Sequence, residues 1–420
     1  MTSNDRVERA FEEAKARYAD LGVDVEAAVK RCAEIPVSIH CWQGDDVVGL
    51  EGKDTLSGGG ILATGNYPGR ARSGDELRQD AAKAFSLVPG TKRFNLHAMY
   101  AETEGKRVDR DALEPRHFEK WVEWAKSLGI GLDFNPTFFS HPLADSGFTL
   151  SHPDEGVRAF WVRHAIACER IAAYFASELD GVCINNLWIP DGWKDIPVDR
   201  LGPRERLLAS LDEIYRERLP GVIDTVESKL FGIGSESYVT GSHEFYLGYA
   251  VSRNVGVCLD MGHFHPTETI HDKISSLVLF VPHVLIHMSR GVRWDSDHVV
   301  LFTDDVRAVA AEMVRLGRWE KIHLAVDYFD ASINRILAWV IGARAVQKAL
   351  LSAFLEPVGR LEELEAEGRL GERLALMEDV KSLPFAAVWD YYCLSQDVPL
   401  DVEWIREVEA YERQVLSKRT

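Results

Sequence analysis

The segment Val255–Met261 reads VGVCLDM, a short apolar run that ends on an acid, Asp260, and a methionine. A run of this length, rich in β-branched residues, is typical of a buried β-strand. Seven further runs share its length and composition, and each predicts another buried strand. The eight runs are Pro36–Trp42, Arg93–Met99, Ile130–Pro136, Val182–Leu187, Val222–Ser228, Val255–Met261, Val284–Ser289 and Ile322–Tyr328.

Helical patterns separate most of these runs, as at Pro115–Leu128, Val157–Leu179 and Arg204–Leu219. Strands that alternate with helices predict a parallel sheet. Eight such units favour an α/β fold of the closed (β/α)8 TIM barrel type, with an open doubly wound sheet as the alternative.

The position of the polar residues decides between the two. They lie late in their strands or just after them, and barrel enzymes build their sites at the C-terminal strand ends. An open sheet would concentrate the site at one switch point. The polar residues in question are His97, Asn135, Asn185, Asn186, Glu227, Asp260 and Asp327.

The chain has 420 residues, more than the about 250 that one barrel needs. We expect a short N-terminal helical segment at residues 1–35, the barrel catalytic domain at 36–345 and a long C-terminal helical extension at 346–420. The extension has little core of its own, so we expect it to pack against the barrel or to take part in subunit contacts. The glycine-rich stretch Gly44–Asp75 predicts a long loop over the exit of the first strand.

The net charge of -18 argues against a nucleic-acid or anionic-membrane partner. The first residues contain no apolar signal core, and no long apolar span follows. Six cysteines without CxxC spacing are predicted to be buried free thiols, three of them (Cys41, Cys183 and Cys258) inside strands. These observations predict a cytoplasmic protein with neither membrane nor nucleic-acid contacts.

Acids and histidines at the predicted strand ends indicate a metal centre. Glu227, Asp260, His287 and Asp327 are predicted to surround one ion, and His263, Asp295 and Asp297 a second. An oxygen-rich set with imidazoles and no thiolate favours Mn²⁺, Mg²⁺ or Co²⁺ over structural zinc. Two divalent ions per subunit are therefore expected.

Most of these residues also have a plainer interpretation, and His263 could be a hydrogen-bonded core residue. Glu227 could form a surface ion pair with Lys229, Asp260 could cap a turn, His287 could be a hydrogen-bonded core residue, and Asp295 with Asp297 could lie in a solvated loop. If all of the plainer interpretations were correct, these residues would have to lie at the same end of the barrel by chance. A metal centre explains their shared position and is therefore favoured.

Other polar and aromatic residues have assignable roles. Lys229, two residues from Glu227, would face the barrel mouth beside it and could donate to a substrate oxygen. Asp330 is predicted to be the N-cap of the following helix. The aromatic residues Trp42, Trp188, Trp193 and Phe134 would be packing residues by default, but in a sugar site such rings stack on carbohydrate.

Several long runs carry a resemblance to a known family. They are VSIHCWQGDD (Val37–Asp46), ATGNYPG (Ala63–Gly69), WIPDG (Trp188–Gly192), VESKLFG (Val226–Gly232) and VRWDSDH (Val292–His298). Over essentially its whole length, the chain resembles the bacterial L-rhamnose isomerases.

The resemblance implies a homotetrameric, manganese-preferring enzyme on a xylose-isomerase-like barrel that interconverts the aldose L-rhamnose and the ketose L-rhamnulose. It assigns the same two ligand sets, with Co²⁺ or Mg²⁺ as substitutes for Mn²⁺. It also implies that His97 and Trp188 contact the substrate and that Lys229 lies near the reacting oxygens. We accordingly expect Lys229, Asp327 and His263 to be catalytic, and Lys229 and Asp327 to bind substrate as well.

Two routes for the isomerisation and two other function classes remain. A metal-assisted hydride shift from C2 to C1 is favoured over an enediol route, because the rim offers Lewis acids and no isolated base. A barrel metallohydrolase that acts on phosphate esters would need more basic residues to bind the phosphate group. A non-enzymatic sugar-binding protein would need the aromatic residues but not seven metal-type ligands.

Overall fold

The structure is a computed structural model that describes residues 3–51, 63–230, 235, 237–292 and 295–419. For residues 3, 295 and 296 it describes the backbone alone. The middle of the predicted Gly44–Asp75 loop, residues 52–62, lies outside the described residues.

Eight parallel strands form a closed barrel in which each strand pairs with its neighbours along the chain and the last pairs with the first. The predicted barrel is thus confirmed, and every predicted run contains one strand to within one or two residues at each end. The strands are β1 (Val37–His40), β2 (Lys92–His97), β3 (Gly131–Asn135), β4 (Cys183–Leu187), β5 (Val222–Glu227), β6 (Gly256–Asp260), β7 (Val284–Met288) and β8 (Ile322–Val326).

Fourteen helices cover the described chain outside the barrel. They are α1 (Ser3–Ala19), α2 (Val25–Glu34), α3 (Gly74–Phe85), α4 (Glu119–Leu128), α5 (Glu155–Glu178), α6 (Leu201–Ile214), α7 (His243–Arg253), α8 (His271–Leu277), α9 (Asp304–Leu316), α10 (Arg335–Phe354), α11 (Val358–Ala366), α12 (Leu370–Val380), α13 (Phe385–Ser395) and α14 (Glu403–Gln414). Two short antiparallel pairs stand beside the barrel, Gly192–Trp193 with Tyr238–Val239 and Arg290–Val292 with Asp295–His298.

The period-two alternation of the strands places the polar rim above an apolar floor. Inside the barrel Ile184, Cys258, Leu285 and Ala325 pack together, with Ile223 against them. Each of these residues precedes a polar residue by two positions, so both side chains project to the same face. The barrel interior therefore holds the polar residues in a layer that sits directly on packed apolar side chains.

The chain termini pack on each other and on the barrel. The Phe11 ring of α1 stacks on the Tyr391 ring of α13 with centroids 3.7 Å apart. Near the C-terminus, the Tyr411 hydroxyl donates to Asp80 of α3 at 2.7 Å, and Arg419 pairs with the same carboxylate. Of the two placements predicted for the extension, packing against the barrel is therefore seen. The division at residues 35 and 345 stays a prediction.

Part of the predicted Gly44–Asp75 loop lies against the chain that follows β8. The Tyr67 amide donates to the Ala331 carbonyl at 2.8 Å. Gly65 has a φ of 126°, and a Cβ there would lie 2.2 Å from the Ala331 carbonyl carbon. Glycine is therefore required for this close approach.

Three predicted helix limits and one strand assignment are wrong. Helix α6 begins at Leu201 instead of Arg204 and ends at Ile214 instead of Leu219. Pro220 disfavours helical geometry at Leu219, and Gly221 turns the chain at a φ of 78°. The N-cap of α10 is Asn334, whose side chain accepts from the Ile336 and Leu337 amides. Asp330 instead accepts from Ser332. Cys41 lies in a 3-10 turn just after β1.

All six cysteines are free and buried, as predicted. One helix in the described part of the chain, α10, is long and apolar enough to cross a membrane. Its most apolar stretch is 78% buried inside the protein, as a core helix would be.

Candidate metal centre and sugar pocket

Four neighbouring strands bring one histidine and three acids together at the rim. Glu227 ends β5, Asp260 ends β6, His287 lies in β7 and Asp327 directly follows β8. One ligand atom from each of the four lies within 4.8 Å of all the others. His287 Nδ1 lies 3.5 Å from Glu227 Oε1, 3.6 Å from Asp260 Oδ2 and 3.4 Å from Asp327 Oδ2.

Strand register explains why these side chains meet. Asp260 pairs directly with His287 across β6 and β7, and directly paired residues of parallel strands project to the same face. Across β7 and β8, His287 pairs with Ala325, which points into the barrel two positions before Asp327. The Asp327 amide then donates to the Met288 carbonyl at 3.1 Å, which fixes its height on the rim.

Hydrogen bonds hold one oxygen of two of the carboxylates and leave the other oxygen of each without a hydrogen bond. Glu227 Oε2 accepts from Asn186 at 2.5 Å. Asp260 Oδ1 accepts from the Gly262 amide and from the Ser289 hydroxyl, both at 2.6 Å. In the described part of the chain, hydrogen-bond partners are missing for Glu227 Oε1, Asp260 Oδ2, Asp327 Oδ1 and both His287 nitrogens. Buried polar atoms rarely lack hydrogen-bond partners. Here the atoms that lack them converge on one point, as the ligands of a cation would.

The charges of the cluster point the same way. Burial alone would raise the pKa of the Glu227 carboxyl, but His287 and His263 hold that pKa well below its usual value. Burial lowers the pKa of His287, yet Cys258, Glu227, Asp260 and Asp327 together raise it well above normal. The cluster thus requires positive charge at its centre, and its oxygen and imidazole donors fit Mn²⁺, Mg²⁺ or Co²⁺.

A second group lies beside the first. Asp260, His263 and Asp297 each place a ligand atom within 4.8 Å of the other two. His263 Nε2 lies 4.0 Å from Asp260 Oδ1 and 3.9 Å from Asp297 Oδ1, while its Nδ1 lies 3.0 Å from Glu227 Oε1. The sequence analysis assigned Asp260 to the first set alone. In the structure its Oδ2 faces His287 of the first group and its Oδ1 faces His263 of the second. The backbone of Asp295 runs in the same strand as Asp297, and its side chain lies outside the described residues.

Asp297 is held in an unusual backbone conformation with a φ of 70°. Burial raises the pKa of its carboxyl to about 7, with a further increase from the charge of Asp327 and a partly opposing decrease from Lys229. A nearby cation would stabilise the ionised form of a carboxyl whose pKa is raised this far. The raised pKa is therefore consistent with Asp297 belonging to the second ligand set.

A pocket opens above both groups. His97, Trp188, Lys229 and Asp327, the four residues expected to bind substrate, all line it. The remaining lining residues are Trp42, Asn135, Pro136, Phe139, Glu227, His263 and Asp297. Strand β5 ends at Glu227, so Lys229 reaches the pocket from the segment after the strand and not from the strand itself.

Aromatic rings form one wall of this pocket. The Trp42 ring stacks on His97 with centroids 4.2 Å apart, and Phe139 packs edge-on to Trp188 at 6.1 Å. Of the aromatic residues marked in the sequence, Trp193 and Phe134 do not line the pocket. Phe139 was missed, and its only signal was its position four residues after the end of β3. Burial lowers the pKa of His97 well below its usual value.

Sequence comparisons with known proteins agree on one family. The family model of L-rhamnose isomerase (RhaA) matches residues 5–419. The L-rhamnose isomerase of Citrobacter koseri is 56% identical over 417 residues, covering 99% of each chain. That of Rhodopirellula baltica is 54% identical over 422 residues, covering 100% of this chain and 99% of the relative. A solved L-ribulose 3-epimerase aligns at a TM-score of 0.48 and 14% identity, over 78% of this chain and 97% of that one.

Proposed function

Because this chain belongs to the L-rhamnose isomerase family, we propose that its barrel mouth converts L-rhamnose to L-rhamnulose with the help of two bound divalent ions. Aldose–ketose isomerisation is the activity that the family membership supports. The observation that carries the metal part is the convergence of four buried ligand atoms from four strands within 4.8 Å.

Glu227, Asp260, His287 and Asp327 would hold one ion, and His263, Asp295 and Asp297 the other, with Asp260 between them. We propose Mn²⁺ as the preferred ion, with Co²⁺ or Mg²⁺ as substitutes. When bound, such ions supply Lewis acidity that polarises a sugar carbonyl and stabilises negative charge on its oxygens.

The residues around the pocket would orient the sugar. Trp188 and Trp42 offer indole N–H groups without partners among the described residues and ring faces for the apolar side of a sugar. Lys229 Nζ lies 5.7 Å from the Trp188 ring centre and 4.0 Å from Asp297 Oδ2. We propose that Lys229 donates a hydrogen bond to the reacting oxygen as negative charge develops there, and that Asp327 and His263 lie against the same end of the sugar.

We favour a hydride shift within the sugar, in which hydrogen leaves C2 with its bonding electrons and bonds to C1. The proton balance is kept by transfer from O2 to O1. Every carboxylate among the described pocket residues also belongs to a proposed ligand set. His97, with its lowered pKa, is a weak base. Both points count against proton abstraction from C2 by a separate base.

An isotope experiment tests the reaction and the route together. L-Rhamnose deuterated at C2 would be incubated with the Mn²⁺-loaded protein, and both ketose formation and the label at C1 would be measured. We expect L-rhamnulose that retains the deuterium. Ketose that has exchanged its label with water would contradict the hydride shift, and absence of ketose would contradict the activity itself.

The assembly and compartment complete the proposal. We propose a homotetramer, because several large apolar side chains remain exposed on the single chain, among them Ile196, Val198, Leu279 and Phe280. A cytoplasmic location would suit six free, buried thiols.

A further inference from the structure

His40 has no role in the proposed chemistry, yet it touches both halves of the site. It is the last residue of β1 and is buried, with 2% of its surface exposed. Strand pairing between β1 and β8 reaches only Ile39 and Val326. The side chain of His40 therefore stands where the pairing of these two strands stops, directly beside Asp327.

The peptide that joins Val326 to Asp327 is held at both edges. Its carbonyl oxygen, on Val326, accepts a hydrogen bond from His40 Nδ1. Its N–H, on Asp327, donates to the Met288 carbonyl of β7 at 3.1 Å. A peptide plane fixed from both sides fixes the Cα of Asp327 and hence the reach of its carboxylate. His40 supplies one of the two attachments.

The same hydrogen bond sets the tautomer of the ring. A carbonyl oxygen can only accept, so Nδ1 carries the hydrogen, and in the neutral ring Nε2 is an acceptor. Nε2 lies 3.9 Å from Asp327 Oδ1, and neither atom has a hydrogen-bond partner among the described residues. The ring thus approaches Asp327 without donating to it, which leaves that oxygen free to bind a cation.

The ring also supports the sugar side of the pocket. It stacks on Trp42 with centroids 4.9 Å apart and planes at 24°, and Trp42 in turn stacks on His97 at 4.2 Å. The His40 and His97 ring centroids also lie 5.8 Å apart, so the three rings pack as one cluster between Asp327 and the pocket wall. Two separable functions follow, since the N–H acts on Asp327 and the ring face acts on Trp42.

We propose that His40 is a positioning residue, whose Nδ1–H orients Asp327 for ion binding and whose ring face holds Trp42 against the sugar. The inference rests on the proposed function of the site. Partners that orient metal ligands typically contribute about 10- to 100-fold to metal affinity or activity, so the effect is measurable.

Two substitutions separate the two functions. His40→Asn places an N–H on the same γ-carbon but has no ring, so Mn²⁺ affinity should stay near that of the wild type while KM for L-rhamnose rises. His40→Phe keeps a ring on Trp42 but has no donor, so Mn²⁺ affinity should fall about 10- to 100-fold. Calorimetric titration of Mn²⁺ into chelator-stripped protein gives the affinity without any dependence on turnover.

Ser38→Ala is the matched control. Ser38 lies on the same strand and face, two residues earlier, and donates to Asp133 at 2.6 Å. Its loss should lower the unfolding temperature and leave Mn²⁺ affinity unchanged. If His40→Phe does not fold, His40→Ala replaces it as the variant without a donor.

The outcomes are distinct. Equal Mn²⁺ affinity in the wild type and the donor-free variant, or equal losses in His40→Asn and the donor-free variant, would overturn the inference. A wild-type protein that binds no Mn²⁺ would instead overturn the metal part of the proposed function.

Discussion

Lys229 is the only lysine or arginine among the described residues that line the pocket. Its ammonium can stabilise negative charge on a sugar oxygen only while that charge exists, so its effect belongs to the transition state. We expect Lys229→Met to lower kcat by about 100-fold or more, the usual cost of removing such a donor, and to change KM much less. Steady-state kinetics on L-rhamnose with saturating Mn²⁺ measures both.

The control for this variant is Lys194→Met, which removes an exposed lysine outside the pocket. Its kinetics should match those of the wild type. A Lys229→Met enzyme with unchanged kcat would rule out the proposed role, and one with raised KM alone would assign Lys229 to ground-state binding.

Single residues show where sequence reasoning succeeded and where it stopped. Glu227, Asp260, His287 and Asp327 could be found because charged and imidazole groups interrupt apolar strands at one end. Phe139 could not, because an aromatic residue in a loop has the same appearance whether it packs in the core or faces a pocket. Asp330 and Asn334 both suit an N-cap, and only the path of the chain after β8 selects Asn334.

At the scale of elements, a buried acid pair between helix and strand predicts a pH-dependent stability. Glu169 of α5 accepts from Asn185 at 2.7 Å, and Asp224 of β5 accepts from Arg218 at 2.7 Å. Their remaining oxygens have no hydrogen-bond partner among the described residues. The Asp224 carboxylate lies close enough to Glu169 to disfavour a second negative charge, which favours a proton on Glu169.

Burial, then the charge of Asp224, raises the pKa of Glu169 well above 4.5. The folded protein therefore keeps a proton that the unfolded chain releases. The resulting stability is fully present below the unfolded pKa and is lost progressively as pH rises through the folded one. Glu169→Gln replaces the proton with a permanent N–H donor, so its unfolding temperature relative to the wild type should rise as the pH increases above the usual glutamate pKa.

Thermal unfolding of both proteins across that pH range measures the effect. Glu178→Gln is the control on the same helix, because Glu178 is an exposed partner of Lys126 and should show no such trend. A constant difference in unfolding temperature between Glu169→Gln and the wild type at every pH would refute the proton on Glu169.

Elements were predictable to the extent that their signals were local. All eight strands followed from apolar runs, since a strand buried on both faces needs apolar residues throughout. The end of α6 was misplaced because Tyr215–Leu219 continues a helix-compatible pattern, although the helix ends at Ile214 with Tyr215 as its C-cap. The place of Asp260 beside both candidate groups depends in part on Asp297, whose strand pairs with Arg290–Val292, and no pattern near Asp260 specifies that contact.

At the scale of the whole molecule, the barrel could be predicted because alternation and polarity extend over the entire chain. The packing of α13 on α1 joins residues nearly 400 positions apart, and no pattern within either helix specifies its partner. Whether the exposed apolar residues meet other subunits likewise depends on a second copy of the chain, which the sequence of one copy does not describe.

The strongest prediction at this scale concerns metal removal, because three buried carboxylates belonging to three different strands share one site. Without a cation, Glu227, Asp260 and Asp327 repel one another across the seam formed by β5, β6, β7 and β8. Chelation should therefore abolish isomerisation and also lower the unfolding temperature, and Mn²⁺ should restore both. At a hundredfold excess over its dissociation constant, a bound ion adds about 2.7 kcal/mol to the free energy of unfolding. For a chain of this size, that raises the unfolding temperature by about 3 °C.

Calorimetry with and without Mn²⁺ measures this shift in the unfolding temperature. Asp260→Asn should greatly reduce the shift. Asp272→Asn is the control, because Asp272 lies on the exposed surface of α8, and it should leave the shift intact. An equal shift in all three proteins would mean that Mn²⁺ binds somewhere other than the barrel mouth.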